Sequence, residues 1–360
     1  MTSESLKFVD TSGYGTSGKS AVIELLQEFD GYYAASRDCE FELLRIHDGL
    51  IDLENALVHS WSPVRGSMAL VKFEILVKNL GANPSLLNLF GQYNSYATKY
   101  DSRFNGKFVD LSMEYISNLT HVSYKSYLPH EYLLRSKLKY FFERLLIKSG
   151  IKNNALKECL FLTVAPDLFY KETKDYLNNL FNIFNETYDP DGNCPSVSKH
   201  SRYQTFVISN AIEPYNPYGS LNLFHNCKQI VVDRDPRDIY LSLQQPDTHA
   251  GWGHTGMHGE DDLNTFINRY RFLRQRTASF DPNESHHRIK IQFEDLVLNY
   301  DATVSRIINF LQEEPEIHIY PKRYFNPRDS SKVIGLWKDT EFTSEVEYIY
   351  SQLEEYCIDI

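Results

Sequence analysis

Residues 13–20 read Gly13-Tyr14-Gly15-Thr16-Ser17-Gly18-Lys19-Ser20, which satisfies the pattern G-x-x-x-x-G-K-[ST]. Glycines so placed let successive backbone N–H groups converge on an anion, and a helix starting at the end of the loop adds the positive end of its dipole. Lys19 adds a full charge beside them. The chemistry this predicts is the holding of a phosphate group by Gly15, Thr16, Ser17, Gly18, Lys19 and Ser20. A second candidate anion site lies where Ile230-Val231-Val232-Asp233 runs into Arg234, with Ser242 eight residues after the arginine. If the apolar run is a strand and the serine lies on the following helix, both side chains can face the crevice at the strand's carboxyl end. The competing reading is that Arg234 and Arg237 only neutralise Asp235 and Asp238.

These residues need particular elements to hold them. Leu6 to Asp10 reads as a buried strand, and Val22, Ile23, Leu25, Leu26 and Phe29 give a helical period over Ser20 to Phe29, so the loop stands between strand and helix. Lys228 to Asp233 is a continuous, β-branched strand followed by a helix over Asp238 to Gln245, and Thr205 to Ser209 and His287 to Phe293 are further strands. Strands separated by helices predict an α/β fold, a P-loop-type, mostly parallel sheet with helices on both faces. Residues ~85 to 200 have helical periodicity in Tyr132 to Leu146 and Phe169 to Asn185 and no good strand. They are read as a large helical insertion in a single domain spanning 1–360, either the wall of an acceptor pocket or a plain packing unit. Asp189 to Pro195 reads as a loop.

Composition removes several function classes. The 360 residues carry 37 Lys+Arg against 48 Asp+Glu, a net charge of -11, so nucleic acid is not an expected partner and an anionic ligand needs a local basic pocket. No run approaches the ~18 to 20 apolar residues of a membrane span, and the first twenty residues lack an apolar signal core, which predicts a cytoplasmic protein. Cys39, Cys159, Cys194, Cys227 and Cys357 contain no CxxC, so neither a disulfide framework nor a zinc knuckle is expected. His249, His254 and His258, with Glu260, Asp261 and Asp262, are spaced unlike helix-borne metal ligands, and no metal site is predicted. Their Gly-rich stretch, 245–262, is read instead as a mobile lid.

The segment Arg234-Asp235-Pro236-Arg237-Asp238-Ile239-Tyr240-Leu241-Ser242 resembles the sulfotransferases that use 3′-phosphoadenosine 5′-phosphosulfate (PAPS), especially the bacterial members. In that family a strand ends in an arginine followed eight residues on by a serine, and the pair binds the 3′-phosphate. Phe293-Glu294-Asp295-Leu296-Val297 followed by Thr303 to Leu311 is similar to the family's next strand and helix. Lys332-Val333-Ile334-Gly335-Leu336-Trp337-Lys338 is similar to its carboxyl-terminal G-x-W-K segment. The resemblance implies PAPS as donor, with Arg234 and Ser242 on the 3′-phosphate and Ser331 and Lys332 as a second, partial clamp. The family loop usually reads K/R-S-G-T-T; here Thr16 takes the basic position and Lys19 stands two places after Ser17.

Sulfuryl transfer to a hydroxyl needs a base to collect the acceptor's proton and cations on the leaving phosphate. Family members use a histidine on the strand before the 3′-phosphate strand or a glutamate about twenty residues past the loop. Ser209 to Glu213 has no histidine, so Glu40 is the leading base, with Lys19 beside the leaving group. Asp38, Glu42 and Glu213 stand behind Glu40, and a strand through Arg37 to Glu42 would put Asp38, Glu40 and Glu42 on one face. The acceptor is read as a hydroxyl compound, a saccharide or polysaccharide, because the insertion is rich in Tyr and Asn. The rival is a P-loop kinase or NTPase using Mg-ATP, with Asp233 as the magnesium-side carboxylate.

Overall fold

The computed structural model describes residues 5–34, 40–81, 100–126, 136–151, 158–163, 165–186, 203–215, 220–244, 263–280 and 286–360. Strand β1 (Lys7–Gly13) is followed by helix α1 (Lys19–Leu26), β2 (Tyr32–Ala34), β3 (Thr120–Ser126), β4 (Glu158–Thr163), β5 (Thr205–Ser209), β6 (Cys227–Asp233) and β7 (Arg288–Gln292). Five strands form one sheet in the order β2-β5-β1-β6-β7, and every neighbouring pair in it is parallel. The fold is α/β, as expected.

Alternation along the strands decides which helices cover which face. Phe8, Phe206 and Ile208 point to one side, where they pack with Phe73 and Val77 of the helix Pro63–Gly81, Phe108 and Tyr115 of Phe108–Asn118, and Leu177 and Phe181 of Pro166–Glu186. Val9, Val207, Ile230 and Val232 point to the other, against Val22, Leu25 and Leu26 of α1 and Val304 and Ile307 of the helix Tyr300–Leu311. Phe206 lies among the rings of Phe8, Phe181 and Tyr33 and is fully buried; its truncation to alanine is worth about 3–5 kcal/mol.

One polar line crosses this apolar layer. Asp10, Ser12 and Gln229 are buried side by side at the centre of the sheet, where Gln229 Nε2 donates to Asp10 Oδ2 (3.3 Å), Ser12 Oγ (2.9 Å) and the Ile212 carbonyl (2.7 Å). Asp10 Oδ1 accepts from the N–H groups of Ala211 (2.9 Å) and Ile212 (3.3 Å). The turn leaving β5 is thereby tied to β1, and Asn210 sits in it at a φ of 51°. Burial raises the Asp10 carboxyl to about 7, against the lowering effect of these donors and of Lys19.

Two expectations are corrected. The stretch 85–200 contains a two-stranded antiparallel ribbon, β3 with β4, where no strand was expected. Thr120-His121-Val122-Ser123-Tyr124-Lys125-Ser126 lacks the continuous apolar run of a strand buried on both faces, and Val122 and Tyr124 are exposed. A return strand lies at Tyr32–Ala34, and of the stretch Arg37 to Glu42 expected as a strand, the described residues 40–42 are not in one, with turns over residues 42–45. The helices read at Tyr132 to Leu146 and Phe169 to Asn185 are found at Lys137–Lys148 and Pro166–Glu186. Asp38 and Arg37, the loop Asp189 to Pro195, and the 245–262 stretch lie outside the described residues.

Candidate functional site

The parallel register brings the carboxyl ends of β1, β5, β6 and β7 to one edge, so residues 13–20, 209–213, 233–234 and 292–293 are neighbours. The phosphate loop is compressed there. A Cβ on Gly13 would lie 2.9 Å from the Val232 carbonyl oxygen and 2.3 Å from Ser17 Oγ, which itself accepts the Tyr14 N–H at 3.2 Å. Gly18 caps α1 at a φ of 91°, and a Cβ on it would fall 2.3 Å from the Phe293 ring. Only glycine meets both the left-handed backbone and the close approach.

Lys19, the first residue of α1, turns its ammonium onto the Glu40 carboxylate and donates to Ser209 Oγ at 3.1 Å. Glu40 also accepts from Asn210 Nδ2 (2.6 Å) and Arg45 Nη2 (2.5 Å). Arg45 reaches Glu42 (3.0 Å) and Glu213 (3.2 Å) as well. Three of the four candidate acids are therefore gathered on one guanidinium. Sequence reasoning passed over Arg45; the signal was a lone arginine three residues past Glu42, within an acidic stretch. The segment is anchored by Tyr100, whose hydroxyl accepts the Glu42 N–H at 2.7 Å, and by the Phe41 N–H on the Ser209 carbonyl at 2.9 Å.

The electrostatics follow from this packing. Burial pushes the Glu40 carboxyl up, but Lys19, Arg45 and Asn210 together outweigh it and hold Glu40 below its ordinary value. Burial pulls the Lys19 ammonium down, and Glu40 only partly offsets that, with Arg45 adding to the lowering. Lys19 is thus a half-desolvated cation whose one close carboxylate is Glu40 among the described residues.

Arg234 follows β6 directly and is buried. Its Nη1 donates to Ser242 Oγ (3.1 Å) and to the Thr16 carbonyl of the phosphate loop (3.2 Å), and its Nη2 donates to the Val333 carbonyl. The guanidinium carbon lies 5.3 Å from the centre of the Phe293 ring. No carboxylate hydrogen-bonds to it among the described residues, and its Nε is buried without a partner. Desolvation lowers its affinity for the proton, partly offset by Asp238, Glu294 and Asp235.

Those acids are engaged elsewhere. Asp235 takes Arg237 in a two-pronged pair, at 3.0 and 2.7 Å, and Asp238 accepts the N–H groups of Gly335 (2.7 Å) and Leu336 (2.8 Å). Glu294 accepts the Asp235 N–H at 2.9 Å, and burial raises it to about 7. Arg237 stacks on Trp337 at 3.8 Å, which fastens the carboxyl-terminal segment over the site. Within that segment Ser331 donates to the Arg328 carbonyl at 2.8 Å and Lys332 is exposed; neither side chain is brought onto Arg234, whereas the Val333 carbonyl is.

Asp233 is fully enclosed by other partners. It pairs with Arg274 Nη2 at 2.7 Å and Lys290 Nζ at 2.8 Å, and accepts the Arg234 N–H at 2.9 Å. Burial raises its carboxyl, and the two cations more than reverse that. Arg274 is in turn clasped between the rings of Tyr270 (3.5 Å) and Tyr14 (4.0 Å). Among the described residues, the group with metal-ligand spacing is His47 with Asp48 and Asp52, at the surface, where Asp48 already pairs with Lys72 at 3.0 Å.

No family model matches the chain, and no curated protein matches it. Solved structures similar to it include the sulfotransferase domain of the Synechococcus PCC 7002 olefin synthase, 12% identical over 99% of this chain and 95% of that one, with a TM-score of 0.39. The sulfotransferase domain from the curacin biosynthetic pathway is 14% identical over 97% of each chain, with a TM-score of 0.41. A sulfotransferase from Mycobacterium avium is 11% identical over 99% of this chain and 78% of that one, with a TM-score of 0.33. At TM-scores below 0.5, what the site does has to be read from its own geometry.

Proposed function

We propose that this chain is a sulfotransferase that takes a sulfuryl group from PAPS and passes it to a hydroxyl acceptor. The observation that carries the reading is the seat formed by Arg234 and Ser242. Among the described residues, this buried guanidinium has no carboxylate bonded to it and an unpartnered Nε, with a hydroxyl 3.1 Å away, and it lies against the phosphate loop through Thr16. A desolvated cation left so is costly unless an anion completes it. PAPS carries a 3′-phosphate in addition to its 5′ group, and adenosine di- and triphosphates do not.

PAPS would supply the reacting sulfuryl group; the chain's residues divide the remaining work. The loop N–H groups and Lys19 face the 5′-phosphate that leaves, where negative charge accumulates. Glu40 accepts the acceptor's proton as the new O–S bond forms and the S–O bond to the phosphate breaks. Lys19 rests on Glu40 in the structure. A nucleotide phosphate that draws Lys19 away removes the strongest of the charges holding Glu40 low, and so strengthens it as a base when the donor is in place. Tyr and Asn side chains in the 85–200 stretch suit a saccharide acceptor, since rings stack on sugar faces and amides pair with hydroxyls.

The rival, a kinase or NTPase using Mg-ATP, is favoured by the intact G-x-x-x-x-G-K-S loop. It needs a carboxylate free to hold the metal ion's water shell. Asp233 is a poor candidate, because Arg274 and Lys290 already neutralise it. Calorimetry with adenosine 3′,5′-bisphosphate, set beside ADP with Mg²⁺, tests the reading. Tighter binding of the bisphosphate without metal is expected; preference for Mg-ADP would hand the site to the rival.

A further inference from the structure

Outside the nucleotide site, the helix Lys137–Lys148 has an unusual surface. Tyr140, Glu143 and Ile147 are half-buried and mark the side turned to the protein. The opposite side carries Leu138, Phe141, Phe142 and Leu145, at the i, i+3, i+4, i+7 spacing of one continuous stripe, with Leu146 at its border. All five are exposed, Leu138 by 73%, Phe141 by 57% and Phe142 by 61%, and Ile151 just beyond the helix is exposed as well. Lys137, Arg144 and Lys148, also exposed, line one border of the stripe at i, i+7 and i+11. The helix holds Lys137, Lys139, Arg144 and Lys148 against Glu143 alone, in a chain whose net charge is -11.

We propose that this helix seats the protein on an anionic lipid bilayer, lying in the interface with Leu138, Phe141, Phe142 and Leu145 inserted and Lys137, Arg144 and Lys148 among the headgroups. The pattern is that of a helix that rests on a membrane: an apolar face with aromatic residues and a cationic border. It does not span one. Its 12 residues reach about 18 Å, well short of the ~20 residues a crossing needs, and no helix among the described residues is long and apolar enough to cross.

Charge complementarity selects this occupant over a second copy of the chain. A two-fold, antiparallel pairing of the helix on itself sets the Lys137, Arg144 and Lys148 borders of the two copies side by side, cation against cation. Phosphatidylserine headgroups instead meet every one of those cations, each worth about a fivefold gain near such a surface. The acidic remainder of the chain is repelled by the same surface, so only the helix side can approach it.

The test is co-sedimentation of the full chain with vesicles of phosphatidylcholine, with and without phosphatidylserine, together with light scattering of the free protein. Binding is expected to be stronger to the phosphatidylserine vesicles and to weaken with added salt. Phe142→Glu and Leu145→Glu should each reduce it at least tenfold, and the paired change Lys137→Glu with Lys148→Glu by a similar factor. Unchanged melting temperature and unchanged adenosine 3′,5′-bisphosphate affinity would show that the variants are folded. Equal sedimentation of wild type and Phe142→Glu overturns the proposal, as does a wild type that stays in the supernatant with every vesicle. A dimer that Leu145→Glu dissociates, with no vesicle binding, would assign the face to a second copy instead.

Discussion

Arg234→Ala separates a 3′-phosphate seat from a merely structural arginine, provided two ligands are compared. Among the described residues the guanidinium makes three bonds, to Ser242 Oγ at 3.1 Å, to the Thr16 carbonyl at 3.2 Å and to the Val333 carbonyl. Losing the Thr16 bond loosens the phosphate loop, and that weakens every nucleotide alike. Losing the cation removes a charge-assisted phosphate contact of about 1.5–3 kcal/mol only for a ligand with a 3′-phosphate. Calorimetry with adenosine 3′,5′-bisphosphate and adenosine 5′-monophosphate isolates the second effect as the ratio of the two losses, expected at roughly 10- to 150-fold. Ser242→Ala leaves the guanidinium in place and removes a neutral hydroxyl, so its ratio should be smaller, about 2- to 13-fold for 0.5–1.5 kcal/mol. Because Ser242 also steadies Arg234, the double variant should lose less than the two singles combined. Equal losses for both ligands in Arg234→Ala would refute the assignment, whatever happens to stability.

Glu40→Gln should keep adenosine 3′,5′-bisphosphate affinity within about threefold while turnover falls by roughly 10²- to 10⁴-fold, measured at saturating acceptor; near wild-type turnover would pass the base role to Glu213. Arg45→Ala removes one of the cations holding Glu40 low, so the acidic limb of the pH–turnover profile should move to higher pH, and Arg45→Lys should restore most of it; an unmoved limb counts against Glu40 as the titrating group. Asp10 has its carboxyl raised from 3.8 to about 7, so the folded state holds a proton that the unfolded chain has released. Its stabilising contribution is complete below the lower value and fades as pH rises through the upper one. Asp10→Asn should therefore narrow the difference in melting temperature between pH 5 and pH 8, and an unchanged difference would contradict the buried proton. Gly18→Ala meets the Phe293 ring at 2.3 Å and a φ of 91°, whereas Gly31→Ala has a φ of 72° and open space. Denaturant unfolding should show a cost of about 1–2 kcal/mol for Gly31→Ala and a further ~1–3 kcal/mol for Gly18→Ala, and equal costs would mean that the ring moves aside freely.

Local pattern makes much of this chain legible from its sequence alone. The G-x-x-x-x-G-K-S loop, the apolar strands at β1, β5, β6 and β7 and the Arg234 to Ser242 spacing are properties of short windows, where side-chain period and backbone freedom leave few conformations. Their parallel arrangement followed from the alternation with helices. Strand β2 was missed because it is three residues long, and the β3–β4 ribbon because its polar alternation looks unlike a strand enclosed on both faces. Arg45 was invisible as the hub of Glu40, Glu42 and Glu213 because Glu213 is 168 residues away in the chain. The same holds for Asp233, which the sequence alone offers as a magnesium ligand. Its partners Arg274 and Lys290 come from a later helix and from β7, and only the packed sheet edge brings those charges within 3 Å of the carboxylate. Composition and spacing determine which groups a chain can offer, but the electrostatic state of each depends on distances between charges, and those are set by the assembly of elements far apart in sequence.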